Sequence, residues 1–291
     1  MKNINIFCFG FGQVAKNFIK KLSIEEYNIT LTTTSRNQSS EEIFNGIQYN
    51  NYLFNIDKYD KNLLPRLKEA DHILVSIPPE KQEDIVVKNF SKSIKDSKVK
   101  WITYLSATSV YGDHKGEWVN ENSNTNPTSK NGIARLKAEN AWVSLEKNLK
   151  LPIQIFRLSG IYSKEKNILS RLKLGNIELL DKKDHYFSRI HVDDIANILF
   201  KSLFKFKSGE IYNISDDKPS PSKEVVLFGA KILNIENIKK FEVKKIKNEM
   251  LKNFYNDSKK VSNKKIKRFF NYVLKFPSYV EGLNHIRSDF I

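Results

Sequence analysis

NINIFCFGFGQVA, Asn3 to Ala15, joins a short apolar strand to a turn of small residues and the first turn of a helix. Gly10, Gly12 and Ala15 stand in the spacing G-x-G-x-x-A. Gly10 permits a tight turn. Gly12 lets the backbone approach a pyrophosphate, and Ala15 lets helix and strand pack closely. The helix N-terminus then offers free N–H groups and a positive dipole end to phosphates. Small residues also serve ordinary tight turns, so the weight of this stretch depends on the rest of the chain.

Beyond Ala15 the chain alternates. Residues 28–34 (NITLTTT) are β-branched and read as a second strand, with a weaker third at 52–56. A helical run at 63–70 precedes DHILVSIPP, a fourth strand halted by Pro78 and Pro79. Residues 83–94 have helical spacing, 101–107 (WITYLSA) form a fifth strand, 133–147 a helix and 152–160 (PIQIFRLSG) a sixth strand. Strands alternating with helices predict an α/β fold of parallel βαβ units with right-handed crossovers. The pattern loosens over 161–186. FSRIHVDDIANILFKSLF then joins a strand to a helix capped by Asp193 or Asp194, and EIYNIS gives another strand. The expected domains are 1–165, completed by segments near 187–215, and a smaller C-terminal α+β lobe of 166–186 and 216–291.

Hydrophobic residues make up 40% of the 291, enough for a buried core. The single cysteine, Cys8, excludes an internal disulfide and fits a reducing, cytoplasmic setting. The N-terminal apolar run is short and broken by glycines, unlike a signal peptide, and no stretch is long enough to span a membrane. The formal net charge is +16, from 49 Lys+Arg against 33 Asp+Glu. The lysines are scattered. Only 239–268 is dense, with Lys pairs at 239–240, 244–245, 259–260 and 264–265 amid apolar residues, the pattern of solvated amphipathic faces rather than a nucleic-acid site. Histidines 72, 114, 185, 191 and 285 show no metal spacing.

The end of the second strand separates the two nicotinamide dinucleotides. Thr34, Ser35 and Arg36 stand there, with no acid to grip a ribose 2′-hydroxyl. Arg36 and Ser35 suit a 2′-phosphate, so NADP(H) is expected over NAD(H). Gly10, Phe11, Gly12, Gln13, Val14, Ser35 and Arg36 are expected to bind the cofactor.

Several segments together resemble one family. GFGQVA, LSATSVYGD (105–113), PTSKNGIARLKAE (127–139), FRLSGIYS (156–163), RIHVDDIA (189–196), IYNISDD (211–217) and VSNKKIKRFFNYVLKFPSYVEGL near the C-terminus occur in the order seen in extended short-chain dehydrogenase/reductases of the NAD(P)-dependent epimerase/dehydratase type. The resemblance implies a Rossmann-like doubly wound parallel sheet with a smaller substrate lobe, an unidentified small-molecule substrate, and pairing as a homodimer, as in many relatives. It also implies a Ser/Thr, a Tyr and a Lys, the last two four apart on a helix, moving a proton while hydride passes to or from the cofactor. Counting back from Glu139 puts the Lys place at Arg135 and the Tyr place at Asn131. Counting from VYG puts the Ser/Thr place at Ala107.

All three places differ from the usual pattern. An Asn amide does not titrate near neutral pH, so Asn131 can orient a carbonyl without taking its proton. Arg135 stays charged and can still bind ribose hydroxyls, and with Ser76, Ile77, Pro78 and Ser106 it completes the cofactor-binding set that the resemblance implies. Ala107 offers no hydrogen bond, and Ser106 points to the other face of its strand. Thr108 and Tyr111 are the expected replacements in the acid/base set, beside Asn131 and Arg135. Ala107, Ser109, Tyr162 and His191 are expected to line the substrate. Tyr111 and Lys115 match Y-x-x-x-K literally, yet Gly112 and Asp113 between them read as loop. Two functions fit: an oxidoreductase or epimerase-like enzyme with a rebuilt acid/base, or a cofactor-binding sensor without turnover.

Overall fold

In the run Asn3–Phe9 (β1) every residue from Ile6 to Phe9 is fully buried, the signature of a strand covered on both faces. The protein is described here from a computed structural model, which covers residues 2–175, 179–180, 182, 184–238, 240–241 and 256–290. Two compact units divide the chain. The first comprises Met1–Ala107, Ile133–Arg157 and Ile195–Tyr212; the second comprises Thr108–Gly132, Leu158–Asp194 and Asn213–Ile291.

The first unit carries the main sheet. After β1 come β2 (Asn28–Ser35), β3 (Ser40–Phe44), β4 (Ile47–Leu53), β5 (His72–Val75) and β6 (Trp101–Ala107). With β7 (Trp118–Val119) assigned to the second unit, β8 is Ile153–Leu158. After β9 (Gly160–Tyr162), β10 (Leu179–Leu180) and β11 (Arg189–His191) comes β12, Ile211–Ile214. The sheet order is β12-β8-β6-β5-β1-β2-β4-β3. β1 pairs in parallel with β2 and with β5, so the chain winds outward in both directions from β1. That reversal is the topological switch point of doubly wound sheets, where strand ends leave a crevice.

Helices cover both faces. α1 is Gln13–Ile24, α2 Leu63–Glu69, α3 Ile85–Lys95, α4 Lys130–Leu149 and α6 Val192–Ser202, while α5, Ile168–Lys173, belongs to the second unit. On one face Phe7, Phe9, Ile73, Val75, Ile102 and Tyr104 pack with Leu67 of α2, Phe90 of α3 and Trp142 of α4. Burying each large side chain contributes about 2 kcal/mol. On the other face Trp101 of β6 stacks on Phe18 of α1, with centroids 6.1 Å apart, and its indole donates to Ser202 of α6. Period two along β6 separates Ile102 and Tyr104 from Trp101.

The second unit is built of short pieces. The loop after β6 opens with a 3-10 turn, Thr108–Tyr111, then β7 pairs in parallel with β14 (Lys260–Val261). β9 pairs with β11 and β10 with β13 (Lys240–Phe241). α7 (Ser222–Ile232) buries Val225 against Leu169 of α5 and Leu283 of the last helix. α8 is Lys264–Phe270 and α9 is Tyr279–Ile286.

Four expectations are corrected. The weak third strand at 52–56 is instead β4, Ile47–Leu53, and it closes an antiparallel hairpin with the unforeseen β3. Asn45 and Gly46 both take positive φ, 51° and 77°, the requirement of a primed two-residue turn. Residues 161–186 contain α5 and most of β9. Loop 108–132 lies with the second unit, because β7 pairs with β14 and Glu121 accepts from the Asn213 N–H at 2.8 Å. The Lys pairs are not all solvated: Lys259 is buried and donates to the Gly112 carbonyl at 2.7 Å. Burial lowers its pKa. Residues 242–255, with the pair at 244–245, lie outside the described residues, as does Lys239.

Candidate functional site

The turn between β1 and α1 is stitched to its neighbours. The Gly10 N–H donates to Thr34 Oγ1 at 3.0 Å, and the Ser76 hydroxyl donates to the Gly10 carbonyl at 2.9 Å. Gly10 has φ +82°, and a Cβ there would stand 2.5 Å from Ile77 Cγ2. Only glycine fits both the conformation and the space. Above Gly12, by contrast, a Cβ would meet nothing within 4 Å. Gly12 is the N-cap of α1, no side chain caps that helix and no acid stands in its first turn. The backbone there is open to an approaching phosphate, with the N–H groups of α1 free to receive it. These residues fit a dinucleotide pyrophosphate.

A cavity of about 400 Å³ begins at this turn, lined by Gly10, Phe11, Gly12, Ser35, Arg36, Ser76, Ile77 and Pro78. Eight expected cofactor residues therefore share one cleft. Gln13 and Val14 are in the first turn of α1, with Val14 turned into the core. Ser106 is buried on β6 and its hydroxyl finds no partner among the described residues.

The cleft also holds groups that the sequence reading missed: Lys16, Glu42, Tyr49 and Asn51. Glu42 comes from the β3–β4 hairpin. Its Oε2 accepts from the Tyr49 hydroxyl at 2.7 Å, and its Oε1 from Ser40 at 2.8 Å and Asn51 Nδ2 at 3.2 Å. The hydrogen bonds from Tyr49 and Ser40 hold its pKa below the usual carboxylate range. The signal for it was the Asn45-Gly46 turn between two short runs.

Arg135 projects from α4, and its Nη1 donates to the Leu105 carbonyl of β6 at 2.7 Å. Glu139, one turn on, forms a buried ion pair with Arg157 of β8, Nη2 to Oε2 at 2.7 Å. Asp84, the N-cap of α3, accepts from the Val86 and Val87 N–H groups at 3.0 and 2.9 Å and from Trp142 Nε1 at 2.9 Å. Burial raises its pKa, against the pull of those bonds and of the Arg135 charge.

Of the remaining expected residues, Ala107 ends β6 in the first unit and the others lie in the second. Thr108 is buried at the start of the 3-10 turn, and Ser109 comes next. A Cβ on Gly132 would stand 2.8 Å from the Ser109 carbonyl, so α4 begins pressed against this turn. Asn131 is exposed. Tyr111 is fully buried and its hydroxyl donates to Asn213 Oδ1 at 2.7 Å. Lys115 lies in a loop with φ +52°, so Tyr111 and Lys115 share no helix face. Tyr162 and His191 pair, with ring centroids 5.0 Å apart. The Tyr162 hydroxyl donates to the Ser278 carbonyl at 3.3 Å. His191 accepts from the Asp193 N–H on Nδ1, and burial lowers its pKa to about 4.

Asp194, expected as a helix cap, does more. It is fully buried and accepts from the Tyr272 hydroxyl at 2.6 Å and from the N–H groups of Lys275 and Phe276 at 2.7 and 3.0 Å. Among the described residues no group of three or more His, Cys, Asp or Glu side chains is placed to hold a metal. No described helix is long and apolar enough to cross a membrane.

Comparison with known proteins adds three kinds of finding. The NAD dependent epimerase/dehydratase family matches residues 85–215. Among solved structures, a conserved protein of unknown function from Silicibacter pomeroyi is 30% identical, covers 98% of both chains and superposes with a TM-score of 0.85. A dTDP-glucose 4,6-dehydratase from Bacillus anthracis, solved with NAD, is 18% identical with a TM-score of 0.81, covering 98% of this chain and 96% of the dehydratase. A UDP-glucuronic acid 4-epimerase from Bacillus cereus, also solved with NAD, is 16% identical with a TM-score of 0.78, covering 99% and 100%. By sequence, a dTDP-D-glucose 4,6-dehydratase from Dictyostelium discoideum is 28% identical over 165 residues, spanning 50% of this chain and 37% of the dehydratase. The expectation of NADP(H) is overturned by the Bacillus anthracis dehydratase and the Bacillus cereus epimerase, both solved with NAD. Its physical premise also fails: no acid stands at the end of β2, but the ionised Glu42 enters the same cleft as Arg36 from the hairpin.

Proposed function

We propose that the chain, whose residues 85–215 match the NAD dependent epimerase/dehydratase family, is an NAD(H)-dependent enzyme of the epimerase/dehydratase kind whose acid/base is not the usual Tyr–Lys pair. The observation that carries the reading is the glycine turn: stitched by Thr34 and Ser76, closed over Gly10 and open above Gly12. Gly12 and the start of α1 would hold the pyrophosphate, and Ser76, Ile77 and Pro78 the wall beside it. Arg135 would hold nicotinamide ribose hydroxyls, its fork already oriented by the Leu105 carbonyl. Bound there, the nicotinamide supplies hydride transfer.

The chain's own part is the proton. Asn131 orients a substrate oxygen and exchanges no proton with it. The Tyr111 proton is already shared with Asn213, which leaves Thr108, passing its proton through a bound water, as the better replacement. The substrate is proposed to be a small molecule of the nucleotide-sugar class on which the named relatives act. Single-turnover assays with NAD⁺ and UDP- and dTDP-sugars test this. Turnover that falls at least about tenfold in Thr108→Val is expected. Turnover unchanged in Thr108→Val, Tyr111→Phe and Asn131→Ala alike rejects the site.

A second reading keeps the cofactor and drops the chemistry. It is favoured by one observation, the absence of a titratable side chain at Asn131. A sensor of this kind binds NADH without substrate-dependent oxidation, and catalytic cofactor oxidation with any sugar nucleotide ends it.

A further inference from the structure

The cleft has an acid, but it arrives by another route than the strand end where doubly wound folds usually carry one. Glu42 lies on β3, the outermost strand of the sheet, and lines two neighbouring cavities of about 400 and 460 Å³. All three of its donors lie on strands of the sheet, Ser40 on β3 itself and the other two on β4. Tyr49 and Asn51 are buried on β4, and Asn51 Oδ1 in turn accepts from Thr33 on β2 at 2.8 Å. The carboxylate is thereby referenced to the strand that ends at Ser35. A carboxylate offers about four acceptor directions. Two on Oε1 and one on Oε2 are filled, so one on Oε2 remains for a ligand hydroxyl.

The surroundings favour a neutral hydroxyl donor over a phosphate at this point. Lys16 lies 5.7 Å from the ring centroids of both Phe11 and Phe44, and its charge helps keep Glu42 ionised. A dianionic phosphate beside an ionised carboxylate would face like charge, and the carboxylate has no proton to donate to it.

We propose that Glu42 accepts a hydroxyl of the adenosine ribose and thereby selects NAD(H) against its 2′-phosphorylated counterpart. This rests on the cofactor reading above. The acid of the second strand's end has been supplied from an inserted hairpin, which leaves Arg36 beside it as a residue that does not decide the choice.

The test is calorimetric titration of the full chain with NADH and with NADPH, for the wild type, Glu42→Gln and Glu41→Gln. Glu41 is exposed on the same hairpin and lines neither cavity. The wild type is expected to bind NADH at least about tenfold tighter than NADPH, and Glu42→Gln to weaken NADH about tenfold and narrow the gap. Glu41→Gln should bind as the wild type does. Wild-type NADH affinity in Glu42→Gln overturns the role of Glu42 and leaves the cofactor reading standing. A wild type that binds neither dinucleotide overturns both, and one that prefers NADPH overturns the selectivity.

Discussion

Arg157 of β8 grips Glu139 of α4 through two nitrogens: Nε lies 3.1 and 3.2 Å from the two carboxylate oxygens and Nη2 2.7 Å from one of them, with both side chains sequestered from water. The pair fixes the rotation of α4 about its own axis, and with it the direction in which Arg135, one turn earlier, leaves the helix. Glu139 thus sets the register of the candidate site without touching it. Removing one partner leaves the other charge buried. Arg157→Met or Glu139→Gln should each destabilise the protein by about 3 to 5 kcal/mol, read from urea unfolding, and the double change to apolar residues should cost less than either. Equal midpoints for wild type and single variants contradict this.

Gly10 and Gly12 should separate folding from binding. At Gly10 the positive φ and the contact with Ile77 forbid a side chain, so Gly10→Ala should cost about 1 to 3 kcal/mol. At Gly12 the space is open, so Gly12→Val should melt within a few degrees of wild type while NADH affinity falls at least about tenfold. Thermal melts and calorimetry on the same two preparations decide it.

Asp193 and Asp194 are neighbours with unequal duties. Asp194→Ala removes the acceptor of two backbone N–H groups and of the Tyr272 hydroxyl, a loss of about 2 to 4 kcal/mol. Asp193 makes a half-exposed pair with Lys275, and Asp193→Ala should change stability by less than about 1 kcal/mol. Amide exchange at Lys275 and Phe276 would report the difference locally.

His191 gives a pH dependence of defined sign. Burial lowers its pKa from the model-peptide 6.5 to about 4, so between these values the unfolded chain binds a proton that the folded chain refuses. Its contribution is fully present above pH 6.5, is lost as pH falls toward 4, and is flat below; the difference is at most about 3 kcal/mol. His72 is displaced the same way, to about 4. Urea midpoints at pH 7.5, 5.5 and 4.5 should fall more for wild type than for His191→Gln.

The sheet was readable because its strands are covered on both faces and its helices run on a different period. β1, β2, β5, β6 and the turn after β1 stood in the sequence nearly as they stand in the fold. The β3–β4 hairpin was not, because SEEIF carries two exposed acids on an edge strand and lacks a buried face to give it a pattern. Glu42 was missed with it. Lys259 resembles its solvated neighbours, and only its long-range partner at Gly112 marks it as interior. Tyr111 and Asn213 lie far apart in sequence, so no local spacing announces that their side chains meet.

Asp84 does two jobs with one carboxyl group. It closes the first turn of α3, whose leading residue Ile85 lines the cleft at the glycine turn, and it receives the indole N–H of Trp142 from the middle of α4. Whatever lifts or settles that first turn must therefore strain or relax the hydrogen bond of the indole, and indole emission responds to such a change. The molecule thus carries a built-in optical gauge: an aqueous quencher silences the exposed Trp118, and with the equally buried Trp101 replaced by Phe the remaining emission is that of Trp142.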